Sequence, residues 1–194
     1  MAPRRASAAD LKTALRREAL ARRDAIEPDL RASLASKATK RLLGLSVMRP
    51  GATVGFYAAR GSEMPTDGLL ADALRRGVRV ALPRVDRATG ALTFHAVADP
   101  AALRPGAFGI REPASTAPMP ENLDAIVVPG VAFDPRGHRL GTGRGYFDRY
   151  LRDRPGLRIG LAFEAQIVEA LPDEPHDEPM DLIVTEKRVL RTRA

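Results

Sequence analysis

The sequence contains no cysteine. Disulfide frameworks, thiolate metal centres and cysteine nucleophiles are therefore all excluded. A reducing compartment fits, and a cytoplasmic location is expected. Tryptophan is also absent, leaving three Tyr and six Phe, a thin supply of rings for base stacking. No apolar run approaches the ~20 residues of a membrane helix, so a soluble protein without a membrane partner is expected. Lysine is scarce: of 31 basic residues only Lys12, Lys37, Lys40 and Lys187 are lysine. The formal charge is nonetheless +7, and two readings stay open. Either the chain prefers anions, nucleic acid or small molecule, or arginine is abundant throughout and the charge is solvated surface. The stretch MAPRRASAADLKTALRREALARR is rich in Ala and Arg, as organelle transit peptides are, but Asp10, Glu18 and Asp24 speak against that role. It also lacks the apolar segment of a secretory signal. It reads as structural, with residues 1–6 a loose tail.

What is present suits one globular domain over residues 1–194, with 44% hydrophobic residues to build its core. Ser7 and Asp10 have the spacing of a helix start, followed by Leu11, Leu15 and Ala19 on one face. A second helix starts near Pro28 and Asp29 and carries Leu30, Leu34, Ala38 and Leu42. Gly44 and Pro50–Gly51 end this helical hairpin. Residues 52–59 read as a buried strand. Thr66 is placed to cap a helix through Leu69, Leu70, Ala73 and Leu74 that stops at Gly77. Val78–Leu82, ended by Pro83, completes a βαβ unit and implies parallel pairing.

Residues 84–97 alternate around a Thr-Gly turn, as a β-hairpin does. Residues 99–122 are mainly loop. Ala125–Val128, Leu157–Phe163 and Leu182–Val184 are further strands, and a helix is expected over Tyr146–Arg152. The fold class is α/β, a mixed, largely parallel sheet flanked by helices, with the N-terminal helical hairpin. In such sheets ligands sit beyond the carboxyl ends of the strands. That places Tyr57–Glu63, Pro129–Gly145 and Thr185–Lys187 on one rim.

The stretch G-T-G-R-G-Y-F-D, Gly141 to Asp148, is the strongest candidate site. Alternate glycines let backbone N–H groups approach a ligand, and the helix that follows points its positive end the same way. Arg144 and Arg139 add forks for phosphate oxygens. Neither G-x-x-x-x-G-K-[ST] nor G-x-G-x-x-G is present. A tight strand-to-helix turn that binds nothing thus remains the alternative. Asp148 either caps the helix or holds Mg²⁺ beside bound phosphates. Asp181 is either a second such carboxylate or a turn residue. Lys12 and Arg16 share a helix face at i, i+4, with Arg23 on about the same side, and alone would read as a solvated face. Glu63 either binds an amide or amidine edge or starts a helix. His176–Asp177 has no serine nucleophile beside it, and three scattered histidines make no metal cluster. His176 therefore reads as structural or rim-lining.

Taken in order, Lys12 and Arg16 (K-x-x-x-R), Phe56–Tyr57, Glu63 with Thr66, Leu82–Pro83 and Gly109–Ile110 with Glu112–Pro113 form one pattern. It continues through V-P-G-V-A-F-D, R-L-G-x-G-x-G-Y-F-D-R-Y-L and H-D-x-x-M-D-x-I-V-T-E. The whole resembles the 5-formyltetrahydrofolate cyclo-ligase (methenyltetrahydrofolate synthetase) family over most of the chain. The resemblance implies a three-layer sandwich of the type shared with sugar-phosphate isomerase and CoA-transferase-like folds. It also implies an ATP- and Mg²⁺-dependent ligase of one-carbon metabolism that converts 5-formyltetrahydrofolate to 5,10-methenyltetrahydrofolate. Phosphorylation of the formyl oxygen would give an iminophosphate, and N10 would attack with release of phosphate. Such chemistry needs alignment and charge neutralisation rather than a nucleophilic side chain.

By the same resemblance Lys12, Arg16, Arg139, Leu140, Gly141, Thr142, Gly143, Arg144, Gly145, Tyr146 and Phe147 bind ATP. Tyr57, Glu63 and Thr142–Tyr146 touch the folate, Arg144 and Tyr146 act at the transferring phosphate, and Asp148 and Asp181 hold Mg²⁺. Partners are the two small molecules, the folate's glutamate tail suiting the spare positive charge; a monomer or weak homodimer is expected. Thr142 and Arg144 stand at variable loop positions, and Phe147 replaces a frequent Tyr. A non-catalytic or differently specialised nucleotide-binding relative and a basic nucleic-acid-binding protein are the competing readings.

Overall fold

The computed structural model describes residues 8–152, 154–172, 174 and 177–192. The expected tail at 1–6, Ser7 and His176 lie outside the described residues. Helices α1 (Ala8–Asp24) and α2 (Pro28–Leu43) come first. Pro28 suits the first turn of α2, where no N–H partner is needed, and the Gly44 amide closes its end on the carbonyls of Lys40 and Arg41. The two helices serve different layers. Helix α2 lays Ala35, Ala38, Leu42 and Leu43 into the main core, while Leu30 stays exposed. Helix α1 buries Ala19, with Leu15 and Leu20, against Val131, Ala132, Leu140 and Leu171. Its apolar face is thus turned from the expected one: Leu11 is 47% exposed, and Lys12 and Arg23 are buried at 7% and 8%.

Strand β1 (Thr53–Gly55) is shorter than expected over residues 52–59, although burial continues to Ala58. After Phe56 donates its N–H to the Ala81 carbonyl, the chain leaves the sheet. Thr66 holds this departure. Its hydroxyl donates to the Tyr57 carbonyl at 2.8 Å and accepts the Ala59 N–H at 3.1 Å, so it pins a loop rather than capping α3 (Asp67–Arg75). Strand β2 (Arg79–Val85) runs through Pro83 instead of ending there. Arg79 N–H and the Ala81 carbonyl both face β1, so residue 83 faces the same side by the alternation of a strand. By then β1 has ended, its last pair being Gly55 with Ala81, and proline forfeits no rung.

Strand β3 (Leu92–Val97) returns antiparallel as the expected hairpin, with a longer loop organised by Asp86, whose carboxylate accepts the N–H groups of Ala88 and Thr89. A two-residue ribbon, β4 (Arg104–Pro105) and β5 (Arg111–Glu112), lies within the region expected to be loop. Strand β6 (Ala125–Val128) is wholly buried. A second ribbon, β7 (Ala132–Phe133) and β8 (Arg139–Leu140), precedes α4 (Tyr146–Leu151). Strands β9 (Leu157–Leu161), β10 (Leu182–Val184) and β11 (Val189–Arg191) complete the fold.

The main sheet has the order β11-β10-β9-β6-β1-β2-β3. Its inner pairs are parallel, and both edge strands, β3 and β11, are antiparallel. One face carries α2 and α3 over Val54, Val127 and Ile159. The other packs Phe94, Ile126, Val128 and Phe133 with Leu151 of α4. This is the expected three-layer, largely parallel α/β architecture. Among the described residues no helix is long and apolar enough to cross a membrane.

Candidate functional site

From β1 the chain moves to β2 on one side, whereas β6 leads to β9 on the other. Such a reversal leaves a crevice at the strand ends. A cavity of about 860 Å³ lies there, lined by residues after β1 and β6, the end of β2, the glycine loop and α1. It brings together Lys12, Arg16, Tyr57, Glu63 and all of Arg139–Asp148. Thr185–Lys187 are not part of it. Thr185 instead closes the β10–β11 turn, accepting the N–H groups of Lys187 and Arg188 and donating to Glu164.

The glycine loop owes its shape to Gly143 (φ 92°) and Gly145 (φ 64°), a left-handed region that side-chain-bearing residues seldom adopt. Arg16 ties it to α1 by donating from Nε to the Gly141 carbonyl at 2.9 Å. Helix α4 has only six residues, so the loop's own amides matter more here than a long helix dipole. Arg144 places its guanidinium 4.2 Å over the ring of Phe108, and the Tyr146 ring lies 6.1 Å from the same ring. The Asp148 carboxylate neither caps α4 nor faces solvent. It accepts a 2.6 Å bond from Arg139 Nη2, both side chains being largely buried. Arg139 Nε is buried with no hydrogen-bond partner.

Lys12 is far from a solvated face. Its ammonium donates to Glu174 at 2.8 Å and Asp177 at 2.6 Å. Burial draws its pKa down, but bonds from Asp177 and Glu174 more than offset this and leave it above the ordinary lysine value. Arg16 and Arg144, by contrast, have no carboxylate partner among the described residues.

At the other end, Glu63 accepts the Arg60 N–H at 2.9 Å. Burial raises its pKa above the usual carboxylate range, against the pull of that N–H and of Arg23 and Arg60. Tyr57 is buried with its hydroxyl donating to the Met64 carbonyl at 3.2 Å. Burial first, and then Glu63, push its pKa up.

Asp181 is not brought to the cavity. It precedes β10, at the end of the parallel sheet opposite the strand termini that form the site. There its carboxylate accepts the Arg158 N–H at 2.8 Å. The cavity's carboxylates on that side are Glu174 and Asp177. The sequence had offered Asp177 only as half of a dyad. Among the described residues no three His, Asp or Glu side chains gather as a metal cluster. Phe108 and Glu112 also line the cavity. Glu112 is buried and accepts the N–H groups of Ala107 and Val85, fixing the loop that carries Phe108. Phe108 is the one side-chain-bearing residue with positive φ, at 56°, among the described residues; its sequence signal was only the Gly109–Ile110 and Glu112–Pro113 pattern beside it.

Asp134 organises the turn between β7 and β8 and holds Leu171 to it. Fully buried, it accepts N–H groups from Leu171, Arg136 and His138 and the Arg136 guanidinium. Burial raises its pKa, yet these donors outweigh it and hold the carboxyl below the usual range. Asp134→Ala is expected to cost about 3 kcal/mol, since the buried Leu171 N–H and the turn's N–H groups lose their acceptor. A depressed folded pKa gives stability that is present above the unfolded value of ~4 and lost as pH falls through the folded one. Urea melts should therefore show the deficit at neutral pH and a smaller one in strong acid.

Comparison with known proteins bears on the family and the fold. The model of the 5-formyltetrahydrofolate cyclo-ligase family matches residues 8–186. A 5-formyltetrahydrofolate cyclo-ligase of Mycolicibacterium smegmatis is 34% identical over 196 residues, covering 97% of each chain. One of Escherichia coli is 31% identical over 176 residues, covering 87% of this chain and 96% of its own. The NMR structure of Aquifex aeolicus 5,10-methenyltetrahydrofolate synthetase superposes with a TM-score of 0.84 at 37% identity, covering 95% of this chain and 94% of that one. With motif order, fold and relatives in accord, this chain belongs to the 5-formyltetrahydrofolate cyclo-ligase family.

Proposed function

We propose that the chain converts 5-formyltetrahydrofolate to 5,10-methenyltetrahydrofolate at the expense of ATP, in the cytoplasm. The observation that carries this is the layout of the cavity at the strand ends. The glycine loop and Arg16, which is tied to it, lie at one end, and a half-buried carboxylate, Glu63, lines the other. The first end suits a polyphosphate. The second suits the donor-rich edge of a pterin. Tyr146 and Arg144, both beside Phe108, are assigned to the transferring phosphoryl group. Arg139 and Lys12 complete the nucleotide side.

The formyl oxygen takes the γ-phosphoryl group, N10 closes the ring on the formyl carbon, and phosphate leaves. The side chains hold both substrates in line and offset charge; none needs to form a bond to either. Mg²⁺ typically takes one or two carboxylates and completes its shell with phosphates and water. The residues present suit that demand without a preformed cluster. Asp148 is assigned to it, and Asp177 with Glu174 replaces Asp181 as the second source. The metal's contribution would be neutralisation of phosphate charge.

The test is the absorbance of methenyltetrahydrofolate when folded protein, Mg-ATP and 5-formyltetrahydrofolate are mixed. Absence of ATP-dependent product would defeat the proposal.

A further inference from the structure

Arg23 has no part in the assignments above. It sits at the end of α1 remote from Lys12, roughly 16 Å away at 1.5 Å per helical residue. It lines the cavity and is buried. A buried guanidinium is costly unless it is paired. Here Nε donates to the Ser62 hydroxyl at 2.9 Å, Ser62 in turn donates to Asp24, and no carboxylate lies in ion-pair contact with Arg23 among the described residues. The next residue is Glu63, which lines the same cavity and whose ionised form the Arg23 charge favours.

We propose that Arg23 is a positioning residue for the folate end. It clamps the 60–63 loop to α1 and supplies the cation against which Glu63 stays ionised. The same helix that meets the phosphates through Lys12 and Arg16 then also sets the pterin-binding carboxylate. This rests on the assignment of Glu63 to the folate made above. The charged and titratable groups around Glu63 are Arg23 and Asp24 from α1, and Arg60 and Tyr57 from the segment after β1. Arg60 is exposed, and Tyr57 is committed to the Met64 carbonyl. Arg23 is therefore the buried cation of the group.

The test is steady-state kinetics of Arg23→Ala, Arg23→Lys and Ser62→Ala against each substrate and across pH. Arg23→Ala is expected to raise KM for 5-formyltetrahydrofolate about tenfold with KM for ATP nearly unchanged, the signature of lost ground-state binding. Without the cation Glu63 protonates more readily, so the acid limb of kcat/KM for the folate should move to higher pH. Arg23→Lys keeps the charge and should leave that limb in place while still raising KM. Ser62→Ala removes only the clamp and should do the same.

Equal rises in both KM values, or a limb unmoved in Arg23→Ala, would overturn the proposal. If Arg23→Ala fails to fold, the other two variants decide it: an unchanged folate KM in both would refute the clamp. Calorimetric titration with 5-formyltetrahydrofolate alone separates this proposal from the catalytic one. An inactive wild type that binds folate, and binds it more weakly in Arg23→Lys and Ser62→Ala, defeats turnover but upholds the role of Arg23. Equal binding in wild type and variants defeats that role.

Discussion

Asp148→Asn is expected to lower kcat/KM by about 100-fold or more, the scale seen when a group facing developing charge is removed, and to raise the Mg²⁺ concentration needed for half-maximal rate. The structure dictates the choice of asparagine. Asp148 accepts a 2.6 Å bond from Arg139, and Arg139 is buried with its Nε already without a partner. Alanine would strand that guanidinium, at a cost of about 3–5 kcal/mol. Loss of activity in Asp148→Ala would then be confounded with loss of fold. Asparagine leaves an acceptor for Arg139 and removes only the negative charge. Near-normal turnover with an unchanged Mg²⁺ requirement, in a variant with a wild-type melt, would reduce Asp148 to a counterion of Arg139.

The second large effect concerns Lys12. Its replacement by alanine is expected to raise KM for ATP by about tenfold or more, as loss of a charge-assisted bond of ~1.5–3 kcal/mol requires, with a smaller change in KM for the folate. Because the ammonium sits between Glu174 and Asp177, removing it also leaves two carboxylates facing one another. Lys12→Arg keeps the charge and is the control for that repulsion. An unchanged KM for ATP in folded Lys12→Ala would assign the residue to the ion triad alone.

The layers of the fold were legible because they follow from periodicity. The wholly apolar run Ala125–Val128 is a central strand, and Leu69, Leu70 and Ala73 at helical spacing are buried in α3. Two misreadings came from effects that are not local. Pro83 looked like a strand end because its harmlessness depends on where β1 stops. Leu11 looked buried because an ion triad with a segment some 160 residues later, at Lys12 and Glu174, decides the face of α1. The glycine loop and the helix cations were readable as motifs, but their common cavity was not, since only the sheet order brings them together. Asp181 was misplaced for a similar reason: it and Asp177 both precede β10, and only the path of the chain between them leaves Asp177 at the cavity and Asp181 beside the Arg158 N–H. Glu112 and Asp134 were visible only as members of motifs, and Phe108 only by the motif beside it; none of their roles was. Glu112 and Asp134 act on backbone N–H groups and Phe108 through its ring, contacts that only tertiary structure displays.

The short strand β1 has a consequence for how the site comes into being. The segment from β1 to β3 and the segment from β6 to β11 meet along a seam of two register pairs, Val54 with Ala125 and Gly55 with Ile126. Asp124 stitches the seam's end by accepting the Thr53 N–H at 2.7 Å across a separation of 71 residues. Pairing over such a loop carries an entropic cost that local hairpins escape, so the seam is expected to close late. The crevice straddles that junction, so neither half of the chain holds a binding site of its own. A ligand that spans it fastens the halves together. Hydrogen exchange of the amides of Thr53 and Asp124, which bond across the seam, should therefore slow on binding more than that of β3, which belongs to one half alone.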